Sequence, residues 1–394
     1  MQVTGSRTSR GVLCAILICA GGLVSLGVAP AQAGPNYTQI IADEAYFVSL
    51  SQVETCTGTS VRGAIALNPV SQNPGSLYIN PYRANYGARA LVAAGSRYFP
   101  MVKDWLIWYL NHVNWPDYNG VYGTVYDYNA NAAACTEQPK VQPGDTHPFY
   151  DSTDAYAATW LSAMRAYAQA NPEDRAWFQS PDIVYWMDQE AHVSIYTLQP
   201  NGLTWATPDY PRQYLMDNIE VLQGLNDYIW IAQNVLNDQG KVNYWTSYAN
   251  TLSQGIQTYL WDDVNQGSNK LYAWASDQLN PSWLYCYPDG IAQLWPTWAR
   301  YGPSSRRSAT WRGYKSRFPS WASTTPAYPD ISCPLHYTEA PTAYAAAQVG
   351  DKQSVDLWLM NSQINWINPG RPYPWTVADS GFRALAAQKA ATLQ

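Results

Sequence analysis

The sequence predicts an all-α protein, an (α/α)6 toroid of six helical hairpins in which inner and outer helices alternate. Three observations predict it. Apolar residues recur at i, i+3, i+4 and i+7 nearly throughout the chain. The segments so marked alternate between two compositions. The connections alternate as well, long loops before one set and short turns after it.

The elements follow in order. Residues 1–33 stand outside the fold as a secretory signal peptide: Arg7 and Arg10 precede an apolar run from Gly11 to Val28, and Ala31-Gln32-Ala33 supplies the small residues of a cleavage site. The expected mature protein is therefore secreted, whether extracellular, periplasmic or held in the cell envelope, and residues 34–394 form a single catalytic domain. Helices are expected at 36–53, 80–95, 98–114, 152–170, 181–198, 213–236, 241–262, 284–301, 304–317, 337–349, 351–365 and 376–392. Those near 80, 152, 213, 284, 337 and 376 are rich in Ala, Gly and small apolar residues and nearly uncharged, as helices buried on several sides are. Those near 36, 98, 181, 241, 304 and 351 carry more charge beside one aromatic stripe, so one face is wet. Six of each, alternating, make a ring of inner helices inside a ring of outer ones. The turns at Gly95–Arg97, Asp238–Gly240, Gly302–Ser304 and Gly350–Asp351 are short. The opposite end is elaborated with long loops, and function belongs there.

Composition narrows the chemistry. Trp and Tyr total 50 residues against 6 Phe, and only 13% of residues are charged. Without the leader, 21 basic and 29 acidic residues remain, a net charge of −8 that excludes a basic footprint for nucleic acid or anionic membrane. No membrane association is expected after cleavage, and a monomer is expected. Four cysteines remain, Cys56, Cys135, Cys286 and Cys333. In an oxidising compartment they make two disulfides, with the local pairing Cys56–Cys135 and Cys286–Cys333 favoured. No two of them share a zinc-type spacing, the loop acids Asp117, Asp127 and Asp145 form no spaced calcium motif, and no cofactor is expected.

The acids gather at the elaborated end. Asp151 and Asp154 open the second inner helix, Asp217 and Glu220 the third, Asp289 the fourth, Glu339 the fifth and Asp379 the sixth. Each has a local explanation as a helix cap. A ring of five such openings with aromatic neighbours points instead to a polar cleft.

With this alternation, and with YDSTDAYAATWL (Tyr150 to Leu161) and LTWATPDYPRQYLMDNIEV (Leu203 to Val221) facing the cleft, the chain resembles the six-hairpin toroid glycosidases. The resemblance covers the whole mature chain but selects no single catalytic family. It implies a glycoside hydrolase acting on a polysaccharide or oligosaccharide, with inversion of configuration and carboxyls roughly 6.5–9.5 Å apart. Glycoside hydrolysis needs one carboxyl protonated and another ionised. The candidates are Asp151, Asp154, Asp217, Glu220 and Asp379, with Asp217 and Asp151 as the central pair. Asp217 and Glu220 are three apart, on one face of a first turn. Sugar stacking falls to Trp205, Tyr210, Tyr150, Tyr82 and Trp375. Hydroxyl binding falls to Arg83, Asn218, His147 and Asp209. Two other readings remain: a polysaccharide lyase using Tyr82, Arg83, Asn85 and His147, and a non-catalytic glycan-binding envelope protein.

Overall fold

The computed structural model describes residues 34–261, 270–278, 280–323 and 338–394. The leader, with its expected cleavage site, and Cys333 lie outside the described residues. In chain order the helices are α1 (Tyr37–Ser51), α2 (Pro81–Ala93), α3 (Phe99–Asn111), α4 (Thr153–Ala170), the single turn α5 (Arg175–Phe178), α6 (Pro181–Ser194), α7 (Leu215–Ile231), α8 (Gln239–Gly255), α9 (Leu294–Trp298), α10 (Ser304–Arg317), α11 (Ala340–Gln348), α12 (Lys352–Ser362) and α13 (Val377–Ala390). Three of them run on through π-turns, at Ala232–Leu236, Ile256–Leu260 and Gln363–Ile367. These continuations carry the helices close to the ends that periodicity predicts. Among the described residues no helix is long and apolar enough to cross a membrane.

The inner helices close a ring in the order α2, α4, α7, α9, α11, α13 and back to α2. Outer helices lie in the gaps: α1 between α13 and α2, α3 between α2 and α4, α6 between α4 and α7, α12 between α11 and α13. Pro35–Gln394 is one compact unit. Small residues let the inner helices approach. A Cβ on Gly381 of α13 would stand 2.2 Å from the Tyr86 carbonyl oxygen of α2, and one on Gly224 of α7 would stand 2.6 Å from that of Ala158 in α4. The ring is sealed by Arg383, fully buried on α13. It pairs with Glu44 of α1 and donates from Nε to Ser362 Oγ at 3.0 Å and from Nη2 to Gln363 Oε1 at 2.9 Å.

Local signals set the helix starts. Asn80 accepts from the Arg83 amide at 2.9 Å, and Pro81 follows it where no amide is needed. Asn36, Asp238 and Asp351 cap α1, α8 and α12 in the same way.

Two expectations are corrected. The fourth inner helix does not run over 284–301. A π-turn at Cys286–Gly290 contains the extended residue Tyr287, and the regular helix is the five residues of α9. Pro288 and Pro296 each remove an amide donor, which explains the interruption. A three-stranded antiparallel sheet, hidden in loops that helical periodicity left blank, joins β1 (Leu77–Ile79), β2 (Tyr128–Asn131) and β3 (Thr136–Pro139). Tyr78 pairs with Asn129, and Asn129 with Gln138. Cys135, in the β2–β3 hairpin, is bridged to Cys56 as expected. Cys286 is buried, while its expected pairing with Cys333 falls outside the described residues.

Because the α13–α2 crossing has no room for a methyl group, Gly381→Ala should cost about 3 kcal/mol or more. Gly75→Ala, at a position with open space around it, should change stability by no more than about 0.5 kcal/mol. Denaturant unfolding of the two variants beside the parent checks this.

Candidate active site

The N-terminal turns of α2, α4 and α7 converge, and the acids of α4 and α7 come close enough to feel one another's charge. Glu220, in the second turn of α7, is buried. Its Oε1 accepts from Tyr82 Oη at 2.6 Å and Tyr86 Oη at 2.7 Å, both on α2, and from Trp295 Nε1 at 2.8 Å on α9. Burial lifts its pKa to about 7, against the pull of these three donors. Asp154, in the first turn of α4, has no exposed surface. It accepts from Thr204 Oγ1 at 2.6 Å and from the Ala155 amide at 2.8 Å, and burial lifts it to about 7. Thr204 belongs to the loop before α7. That loop is tied down again where the Thr153 amide donates to the Ala206 carbonyl at 2.7 Å.

Asp217, in the first turn of α7, is raised without such support. Among the described residues no side-chain donor reaches it. Burial, then the charges of Asp154, Glu220 and Asp151, push its pKa well above the usual carboxylate range. Asp151 differs from it. It reaches solvent at the cavity mouth yet is flanked by protein, so burial raises its pKa while the Arg83 guanidinium opposes the rise. The exposed ring of Tyr287 feels the charges of both Asp151 and Asp217, and so lies close to the pair. Tyr214, stacked on Trp274 at 5.9 Å, feels Asp217 as well.

Beneath Asp151 lies a network absent from the sequence reading. Asp127, fully buried, accepts from Tyr78, from Tyr156 Oη at 2.9 Å and from Asn80 Nδ2 at 3.1 Å, and burial lifts its pKa to about 6. The Tyr156 oxygen in turn accepts from the Asp151 amide at 3.4 Å, and its ring stacks on Tyr82 at 6.1 Å. Tyr156 sits in the quoted α4 segment, where a polar-edged ring beside two acids was the available signal. Asp127 carried none beyond being a loop acid.

Other predicted residues are placed differently. Asp379 is the capping-box residue of α13. Its Oδ2 accepts from the Thr376 amide at 2.8 Å and Thr376 Oγ1 at 2.9 Å, and Thr338 donates to Oδ1. It lines a pocket of about 270 Å³ with Tyr82, Arg83 and Trp295, but its oxygens are committed to the cap. Trp375 is 1% exposed, packed on Trp366 and donating to Ser380 Oγ at 3.0 Å, so it presents no face to a ligand. Tyr150 is buried with its hydroxyl on Asp117 Oδ2 at 2.7 Å. Asn218, fully buried, accepts from the Thr204 amide at 2.9 Å and holds the loop. All three are framework. Trp205 is half-buried, and Tyr210 is exposed with its hydroxyl 3.0 Å from that of Tyr214. Asp209 is exposed and accepts from Thr207 Oγ1 at 2.6 Å, while His147 stacks on Tyr118 at 3.8 Å. The four residues named for a lyase are not assembled: Tyr82 donates to Glu220, and Asn85 is sealed between Trp105 and Thr159.

No protein-family profile and no curated protein matches the sequence. Solved structures match the fold. A rhamnosidase from Klebsiella oxytoca with rhamnose bound is similar over 91% of this chain and 64% of its own, at TM-score 0.51 and 12% identity. Rex8A from Paenibacillus barcinonensis complexed with xylose is similar over 92% and 96%, at TM-score 0.51 and 10% identity. A GH78-family rhamnosidase of Bacillus sp. GL1 is similar over 90% and 35%, at TM-score 0.50 and 13% identity. The chain thus spans less than two thirds of either rhamnosidase. Likeness at such identity establishes the helical toroid and nothing finer.

The raised carboxyls make stability depend on pH. Folded Asp154 holds its proton up to about pH 7, whereas an unfolded Asp releases it near about 3.9. Its contribution is complete below about pH 4 and is lost as the pH rises through about 7. Thermal midpoints of the wild type measured across that window should fall more steeply with pH than those of Asp154→Asn, which has no proton to lose.

Proposed function

We propose that this chain is a secreted glycoside hydrolase acting with inversion on a neutral polysaccharide or oligosaccharide, with Asp217 as general acid and Asp151 as general base. The observation that carries this reading is the contrast between the two environments. Asp217 takes no side-chain hydrogen bond and faces the charges of Asp154, Glu220 and Asp151, so its proton affinity is raised well above the usual carboxylate range. Asp151 is exposed and faces Arg83, whose charge opposes the rise that burial imposes on it. Two neighbouring carboxyls of unequal proton affinity are what glycosidic cleavage requires. Asp217 protonates the departing glycosidic oxygen. Asp151 draws a proton from water that attacks the anomeric carbon on the opposite face of the sugar. Glu220 and Asp154, each fixed by hydrogen bonds, supply negative charge that raises the proton affinity of Asp217.

Tyr287, Tyr82 and Tyr214 supply aromatic surface at the cleft, and an acid-rich cleft favours a neutral glycan over a uronate. The disulfide Cys56–Cys135 supports export to an oxidising compartment. A single catalytic domain covering 34–394 belongs to the same reading.

The purified mature protein should release products heavier by one water from a neutral polysaccharide, without the absorbance of an unsaturated sugar. Asp217→Asn and Asp151→Asn should each lower kcat about 10²–10⁴-fold while retaining the polymer. Unsaturated products would replace this reading with elimination, and retention of a polymer without turnover would replace it with a binding protein.

A further inference from the structure

A cavity of about 580 Å³ lies on the flank of the ring, between α7, the C-terminal half of α8 and the turn after α9. Beyond Trp298 the chain leaves the helix through Arg300, in the left-handed region at φ 59°, and Gly302 at φ 71°. This turn forms one end of the cavity.

The cavity opens to solvent, and beside apolar residues such as Leu222 and Ala249 its lining presents the amides Gln223 and Asn226 of α7 and Asn250 and Gln254 of α8, with Ser253 and, at the rim, Arg300. The side chains of Asn226, Asn250, Gln254 and Arg300 make no hydrogen bond within the described residues. Tyr301 forms one wall, its ring held by donation from Oη to the Ser253 carbonyl at 2.7 Å. No carboxylate and no lysine lines the cavity among the described residues.

We infer that this flank cavity is a second binding site, for a neutral oligosaccharide. Primary amides present a donor and an acceptor side by side, the match for vicinal hydroxyls. A single cation and no acid leave a ligand without fixed charge. The volume falls within the range of about 300–1,000 Å³ typical of small-ligand sites. Binding here asks nothing of the chemistry in the cleft and stands apart from it.

The test uses the full mature chain carrying Asp217→Asn, titrated calorimetrically with cellotetraose, xylotetraose and mannotetraose. At least one probe should show a binding event that Gln254→Ala and Arg300→Ala each weaken about tenfold, the effect of one lost hydrogen bond to a ligand. Asn250→Trp, which fills the cavity from the rim of α8, should abolish that event and leave the thermal midpoint unchanged. The inference is overturned if no probe binds, or if every binding event survives all three flank variants in folded protein. Loss of binding through Asp151→Asn alone would place the event in the cleft and overturn it equally.

Discussion

One oxygen of Glu220 holds this structure's centre together. Two phenols from α2 and one indole from α9 converge on it from across the ring, so three inner helices are fixed to one another by hydrogen bonds to a single atom. Those donors keep a buried carboxyl tolerable where water is absent. They also fix the position of the charge that its neighbours must face. Tyr82 then stacks on Tyr156, Tyr156 reaches Asp127 and the Asp151 amide, and the network extends from the ring's axis to its mouth.

The consequence is electrostatic. Asp151, Asp154, Asp217 and Glu220 crowd into one poorly solvated space, with Arg83 the cation that bears on Asp151. Like charges at such separations repel strongly in a low dielectric, so the cluster relieves itself by keeping protons. The relief is uneven. Glu220 and Asp154 have side-chain donors and Asp151 has Arg83, whereas Asp217 has neither a side-chain donor nor a cation. This inequality separates the proton affinities of the four carboxyls, and the raised values make the fold less stable as pH rises. Local instability of this kind persists only where a rigid surround enforces it. Glycine crossings at α13–α2 and α7–α4 and the buried Arg383–Glu44 pair provide that surround.

The fourth hairpin is the point where the ring departs from regularity. Pro288 and Pro296 interrupt the inner helix. Tyr287 is freed from helical geometry and stands near Asp151 and Asp217. At the other end of the same segment, the turn after Trp298 borders the flank cavity.

The sequence by itself determined the alternation of inner and outer helices, the tidy and elaborated ends, and the meeting of Asp151, Asp154, Asp217 and Glu220. All of these follow from local quantities: a 3.6-residue period, loop lengths, and acids one turn apart at helix starts that must share an end. Tertiary structure decided which rings face a ligand and which acids are spent on scaffolding. Trp375 is hidden by Trp366, Tyr150 by Asp117, and Asn218 by the loop it holds, while Asp379 closes a capping box and Asp127 gathers partners from β1, α2 and α4. Accessibility and proton affinity depend on groups brought from distant parts of the chain. No local pattern of residues records which groups those will be.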